Sequence, residues 1–251
     1  MKMQYEVFDK NILTDSEFKF YFIGLICADG YISQDSNGIS IALKESDHDY
    51  LDILRKNITS REMKYDCNRK CHTLYFSSRK VKDEMMRYIN TCLKTKNLNF
   101  PPNIPDKYIK DFIRGYFDGD GNLSIKMSYR IVKGIDKSYP GLRLRLLGTY
   151  PFLLGVSQTF HYKNLVNFDR IPSKKGSENV YYIEYAFSSA DRICTWLYKD
   201  ANFYLPRKKR VFEFISKTDS EKLIENYDTT NGHYNTLASS LRLDEGIVGS
   251  D

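Results

Sequence analysis

The sequence predicts an α+β fold built twice over, each unit reading helix, two strands, helix, two strands, helix. Three observations carry this. FIGLICADGYIS (22–33) and IRGYFDGDGNLS (113–124) share one pattern of large residues, glycine and a closing Asp-Gly, with a serine three residues later. Directly after each, the hydrophobic period changes from helical to two. The closing aspartates, Asp29 and Asp120, stand 91 residues apart, which is too long for a solenoid repeat and suits a duplicated supersecondary unit.

The elements follow in order. Thr14 and Glu17 in TDSE form a capping-box signal for a helix from about Asp15 to Cys27. In the second unit Asp106 is the expected N-cap of a helix through YIKDFIRGYFDG. Each helix is expected to stop at its Asp-Gly pair, with glycine in the left-handed conformation. ISIALK (39–44) sets Ile39, Ile41 and Leu43 against Ser40, Ala42 and Lys44, and HTLYFSS (72–78) is its partner strand. NLSIKMS (122–128) and LRLRLL (142–147) alternate the same way, with Leu123, Ile125, Met127, Leu142, Leu144 and Leu146 inward, and VYYIEYAFSS (180–189) completes the set. Amphipathic helices are predicted at 48–58, 79–93, 150–162 and 190–200. Each sheet therefore has one apolar face under helices and one polar, basic face left open. The units span 1–98 and 108–217. NFPPNIPDK (99–107), with three prolines, links them, and 218–251 is an acidic tail of open role.

Composition narrows the function classes. A 251-residue chain with 41% hydrophobic residues can bury a sizeable core. No run approaches the roughly 18 apolar residues of a membrane span, and MKMQYEVFDK lacks the apolar stretch of a signal peptide. Five cysteines without a regular framework predict a reduced, soluble, intracellular protein. Charge is uneven: 17 basic against 7 acidic residues in 121–217, 19 against 18 in 1–120, and 2 against 7 in 218–251. A polyanionic partner would suit the basic stretch.

Gly24 and Ala28 lie four apart, as do Gly115 and Gly119, so each pair shares one helix face. Each interior glycine costs roughly 1 kcal/mol in helix propensity. Close approach of the two motif helices along this stripe would offset it. The helix ends then lie side by side, with Asp29 and Asp120 together. Two adjacent carboxylates repel unless a cation is present. Oxygen-only donors and the negative end of a helix favour a hard ion such as Mg²⁺, with Mn²⁺ able to substitute. The carbonyls of Ala28 and Gly119 would be free to join as ligands. Metal held by carboxylates is a common device for attacking phosphodiesters.

Two such motifs, each leading into basic alternating strands, resemble the paired signatures of the LAGLIDADG homing endonucleases, over about residues 12–215. The resemblance implies two pseudo-twofold-related αββαββα repeats in one monomeric chain, with the motif helices at their interface and the sheets forming a saddle over DNA. It implies a target of roughly twenty base pairs read through the major groove and cut on both strands, leaving short 3′ overhangs. It makes Asp29 and Asp120 the metal-binding acids. It also implies supporting lysines, for which Lys94, Lys96, Lys208 and Lys209 are the candidates, Lys96 and Lys208 foremost. Two positions depart from the pattern. Cys27 stands where the second motif has Asp118, a place that mostly caps or packs, and Arg114 replaces a small residue, so the helix interface cannot be symmetric there.

Base readout is expected from outward strand residues. In the first unit these are Ser33, Gln34, Ser40, Lys44, Asn68, Arg69, Lys70, Thr73 and Tyr75. In the second they are Asn122, Ser124, Lys126, Ser128, Arg130, Arg143 and Arg145, the two arginines able to contact guanine bidentately. Lys174 and Lys175 are expected to meet phosphates from a loop. An EF-hand at DGDGNLS is excluded, because Leu123 and Tyr129 occupy the places that need glycine and glutamate. Cys67, Cys71, His72 and Cys92 match no common zinc spacing. An intein-embedded nuclease would need a nucleophile first and asparagine last; Met1 and the GIVGSD ending suit a free-standing protein. The rival function is a relative without cleavage, acting as an RNA maturase or DNA-binding protein.

Overall fold

A computed structural model describes residues 5–93, 97–176, 180–218 and 223. The first half runs α1 (Lys10–Leu13), α2 (Glu17–Asp29), β1 (Gly30–Ile32), β2 (Gly38–Lys44), α3 (His48–Ile58), β3 (Lys64–Asp66), β4 (Cys71–Ser77) and α4 (Arg79–Met86). The second runs α5 (Ile109–Asp120), β5 (Gly121–Val132), β6 (Ile135–Gly148), α6 (Tyr150–Tyr162), β7 (Ser173–Lys174), β8 (Tyr181–Ala186), α7 (Ser188–Tyr198) and α8 (Pro206–Lys217). The two antiparallel four-stranded sheets have equivalent orders, β1-β2-β4-β3 and β5-β6-β8-β7. The duplicated α+β architecture expected from the motifs is the one observed. No described helix is long and apolar enough to cross a membrane.

The period-two stretches bury the predicted faces. Ile39 pairs with Phe76 and Ile41 with Leu74, all buried, while Ser40 and Tyr75 face outward from adjacent strands. In the second half Leu144 pairs with Tyr185 and Leu146 with Ile183, again buried. Helix α3 packs on β2 and β4, and α6 and α7 pack on β6 and β8.

Several local expectations are corrected. Ser16, not Thr14, caps α2, accepting a hydrogen bond from the Lys19 amide at 3.2 Å. Glu17 is thereby released for the other half of the molecule. Asp106 caps nothing in α5; a 3-10 turn over Asp106–Tyr108 precedes that helix, and Asp106 pairs with Lys163 at 2.6 Å. Both motif helices include their final aspartates. They end at Gly30 and Gly121 in extended conformation (φ −81° and −85°), not left-handed. Glycine is needed there for space. A Cβ on Gly30 would lie 2.5 Å from Ile26 Cδ1, and one on Gly121 would collide with the Phe117 ring. Helix thus runs into strand without a loop, which fixes each aspartate at the root of its sheet.

Helix α4 is shorter than predicted, ending at Met86, and β5 and β6 are longer. Their hairpin turns at Lys133 and Gly134, both with positive φ (53° and 77°), as the strand twist favours. Residues 98–107 are anchored on the second half. The Leu98 carbonyl accepts the Thr149 hydroxyl, and the Phe100 ring packs 5.9 Å from Phe112 and 5.7 Å from Phe152. Most of the acidic tail, residues 219–222 and 224–251, lies outside the described residues, and Leu223 is buried.

Helix α2 is buried from Phe18 to Cys27 on every side, because it packs against its own sheet and against α5 at once. Arg114 explains itself here. It is 0% exposed, and its guanidinium reaches Glu17 at 2.7 Å and Asp111 at 2.9 Å. It also donates to the carbonyls of Phe203 (2.7 Å) and Leu197 (2.9 Å) and lies over the Tyr21 ring at 5.4 Å. Glu17 accepts further bonds from Asn202 and the Phe203 amide, so it ties the first half to the loop before α8. Arg114→Met leaves Glu17, Asp111 and two carbonyls without this donor. Breaking a buried pair in this way costs about 3–5 kcal/mol, so thermal denaturation should show a midpoint lower by roughly 10 °C.

The same cluster sets a pH dependence. Burial pushes the Glu17 carboxyl up, but the Asn202 and Phe203 hydrogen bonds and the Arg114 charge outweigh it, and the net shift is below the ordinary value of 4.5. The folded state therefore holds its proton less tightly than the unfolded chain. The stability this gives is complete above 4.5 and is lost as pH falls through the depressed value. Glu17→Gln should lower stability at neutral pH and flatten the acid limb of the profile, read from denaturant midpoints across the acid range.

Candidate active site and nucleic-acid face

The predicted small-residue stripe is the contact between α2 and α5. A Cβ on Gly24 would collide with the Phe112 carbonyl and lie 2.9 Å from the Tyr116 amide nitrogen. One on Gly115 would collide with the Tyr21 carbonyl and lie 2.9 Å from the Leu25 nitrogen. At Gly119 it would strike the Ala28 methyl group and lie 3.0 Å from Asp29 Oδ2. The backbones of the two helices meet, and Asp29 reaches across the seam to the last turn of α5.

Asp29 is exposed and Asp120 half-buried. Tyr116, buried beneath them, donates its hydroxyl to the Leu147 carbonyl at 2.8 Å. Its phenol is pushed well up, first by burial and then by the charge of Asp120, with Asp29 adding to it. Both acids thus act on one point, one from each half. The donor set is oxygen only and suits a hard divalent cation. Among the described residues no group of three or more His, Cys, Asp or Glu could hold a metal, so an ion here would complete its shell with water and phosphate oxygens, as Mg²⁺ commonly does.

Lys208 reaches the same helix end. Its ammonium donates to the carbonyls of Phe117 (2.6 Å), Gly121 (2.6 Å) and Gly119 (3.2 Å), closing the C-terminal end of α5. The Gly119 carbonyl, expected to be free for a metal, is thereby engaged. Burial pulls the Lys208 ammonium down to about 8, against the opposing pull of Asp118, Asp29 and Asp120. Lys209 lies over the Tyr204 ring at 4.1 Å. Lys94 and Lys96, the first-half candidates, lie outside the described residues. Asp118 is a buried hub, accepting from Tyr21 (2.8 Å), Tyr198 (3.0 Å) and the Leu205 amide (2.7 Å), and its counterpart Cys27 is buried in packing.

The expected readout residues lie on the open sheet faces or their turns, but several are already engaged. In the first half Ser40 on β2 stands opposite Tyr75 on β4, and Ala42 opposite Thr73. Lys44, Asn68, Arg69 and Lys70 are exposed at the far end. Asp66 accepts from the amides of Asn68 and Arg69, which fixes that turn. The carbonyls of Ser33 and Gln34 accept from Lys82, so their loop is anchored from below. In the second half Asn122 pairs with Arg145, Ser124 with Arg143, Ser128 with Tyr139, and Arg130 with Lys137. Lys174 is in the edge strand β7, not in a loop as expected, and Lys175 follows it; both are exposed. Arg143 donates to Ser124 Oγ at 2.7 Å. Arg145 and Lys126 both bind Glu184, at 2.6 Å and 3.1 Å.

Residues missed from sequence share these faces. Glu184 is the outward residue between Ile183 and Tyr185, and the alternation in YYIEYA marks it. Arg61 lies over the rings of Tyr5 and Tyr75, 4.7 Å from each, a placement that no local pattern signals.

Two halves, two abutting helices with an acid at each end, and two open sheets make this the fold of the LAGLIDADG homing endonucleases. Among solved structures, I-CpaMI bound to uncleaved DNA matches with a TM-score of 0.56 at 12% identity, covering 92% of this chain and 97% of that one. I-LtrWI bound to target DNA gives 0.55 at 11% identity, covering 86% and 98%. I-SmaMI bound to cleaved DNA gives 0.53 at 12% identity, covering 94% and 97%. At such identities the likeness is one of fold. No family model and no curated protein matches the sequence.

Proposed function

We propose that this chain is a LAGLIDADG-type, sequence-specific endonuclease that cuts both strands of a long DNA target by metal-dependent phosphodiester hydrolysis. The observation that carries the reading is that two helices in backbone contact end in Asp29 and Asp120, with Asp29 Oδ2 3.0 Å from where a Cβ on Gly119 would stand. In this reading the two carboxylates would hold Mg²⁺, and the chemistry a bound ion would supply there is activation of water and neutralisation of charge at the scissile phosphate. Asp29 comes from one half and Asp120 from the other, so each half delivers one acid to the junction between the sheets. Lys208 holds the end of α5 closed and so fixes the direction in which Asp120 leaves the helix. Support for a duplex DNA partner comes from the two open faces and from the fold shared with I-CpaMI, I-LtrWI and I-SmaMI, each bound to DNA. Intron homing and action as a monomer belong to the same proposal.

Incubation with a randomised library of long duplex sites and Mg²⁺, followed by sequencing of the products, tests it. Paired cuts at a common sequence are expected. Specific retention of a site without any cut would favour a DNA-binding protein instead, and specific capture of structured RNA alone would favour a maturase. Lys174→Ala with Lys175→Ala should leave the preferred sequence unchanged. If both lysines meet phosphates, the slope of log affinity against log salt becomes shallower by about 0.9 for each.

A further inference from the structure

We infer that Glu184 determines specificity in the second half-site: it holds the Arg145 guanidinium in the pose that reads a guanine in the major groove. The inference rests on the DNA-reading function proposed above. It begins from an anomaly. The neighbouring charged residues of this face, Lys126, Arg130, Lys137, Arg143 and Arg145, are all basic. A carboxylate among them weakens attraction for phosphate, so it needs a compensating role.

Geometry supplies one. Arg145 lies directly between Asn122 and Glu184 across β5, β6 and β8. Its Nε donates to Glu184 Oε2 at 3.1 Å and its Nη2 to the same oxygen at 2.6 Å. Its guanidinium also lies 4.8 Å from the centre of the Tyr182 ring. Contact with both the carboxylate and the ring fixes the plane and rotation of the group. Of the five N–H donors, both on Nη1 and one on Nη2 remain, which form the fork that matches guanine O6 and N7. The other carboxylate oxygen takes the Lys126 ammonium at 3.1 Å, so one acid orders two basic side chains. These residues line a recess of about 370 Å³ with Arg170 and Ser173. Burial pushes the Glu184 carboxyl up, but the Arg145 and Lys126 bonds bring it below its ordinary value, so it is ionised at neutral pH. The corresponding row of the first half, Tyr31, Ser40 and Tyr75, carries no acid.

Arginine preorganised in this way loses less freedom on meeting a base. Glu184 is a positioning residue, and its signature is a base preference, not overall affinity. The experiment is binding selection by the full-length chain from a randomised duplex library, without metal, for the parent, Arg145→Ala, Glu184→Ala and Glu184→Gln. The parent should enrich guanine at one position that Arg145→Ala erases. Glu184→Ala should lower the guanine preference at that same position about tenfold, within the range one bidentate contact supplies, and leave the other positions unchanged. Non-specific duplex should bind more tightly once the negative charge is gone. Glu184→Gln, close in size and therefore folded, should show the same change to a smaller degree. If the preference survives both Glu184 variants, the inference fails while the DNA-reading function stands. Loss of a cytosine preference that Arg145→Ala does not touch would overturn it too, because Glu184 would then read the base itself. No preference in the parent would overturn the DNA-reading function, and this inference with it.

Discussion

Asp120→Asn is expected to reduce double-strand cleavage by about a thousandfold or more, the scale of losing a charge-stabilising group from a preorganised site. The substitution keeps the size of the side chain and its place at the last residue of α5. It removes the charge that a divalent cation bound in the proposed way would need. DNA binding in EDTA should stay near that of the parent, because the readout candidates lie on the sheets. Thermal stability provides a readout independent of cleavage. Without metal, Asp120→Asn should hold or raise the midpoint, since two neighbouring carboxylates repel. With Mg²⁺, the parent should gain stability through ligation and the variant should gain less. Full cleavage by Asp120→Asn would remove the assignment of the acid. Equal Mg²⁺ stabilisation of both proteins would remove the metal site.

Gly115→Val is expected to cost more than about 3 kcal/mol, beyond ordinary overpacking. Even the first atom of a side chain at Gly115 would collide with the Tyr21 carbonyl, which is backbone within a helix and cannot rotate aside. The two helices would have to separate along their whole length. That separation would also pull the Arg114 guanidinium from Glu17 and carry Asp29 away from α5. Stability and cleavage should therefore fall together. Scanning calorimetry should show a midpoint lower by roughly 6 °C or more. A Gly115→Val protein as stable as the parent would mean that the helices do not meet at this point. Gly134→Ala, on the open β5–β6 turn, is the control: its φ of +77° carries local strain, but no atom lies within 4 Å of the added carbon.

Much of this was legible in the sequence because it rests on local periodicity. The alternation in ISIALK and LRLRLL fixes which face is buried whatever the sheet packs against. The paired glycine spacing fixes which side of each motif helix admits another backbone. What was not legible depends on partners distant in the chain. The capping signal at Thr14 and Glu17 was genuine in pattern, but Glu17 is drawn away by Arg114 and Asn202, residues far along the sequence. Lys208 was read as a group near the two acids and does feel the charge of both, but the three carbonyls at the end of α5 that hold it could not be foreseen, because α8 brings it there from far along the chain. The left-handed glycine expected at each helix end gave way to an extended one, because strand follows helix directly. The outer half of the β5–β6 hairpin escaped notice because Tyr129, Ile131 and Ile135 are exposed, so no buried face marks the strand.

The Arg114 cluster also decides who can pair with whom. Helix α5 carries a buried cation that shares two acids, Asp111 on its own helix and Glu17 on the first half, and α2 has the neutral Ile23 in the equivalent place. In a pair of second halves each Arg114 would keep Asp111 of its own helix but lose the other half's glutamate. Two copies of the first half would leave both glutamates without their cation. Each half is thus complementary to the other and not to itself, which discourages swapped dimers during folding. The two sheets are then free to diverge, and under the proposed function a DNA site read by both would have no need to be a palindrome.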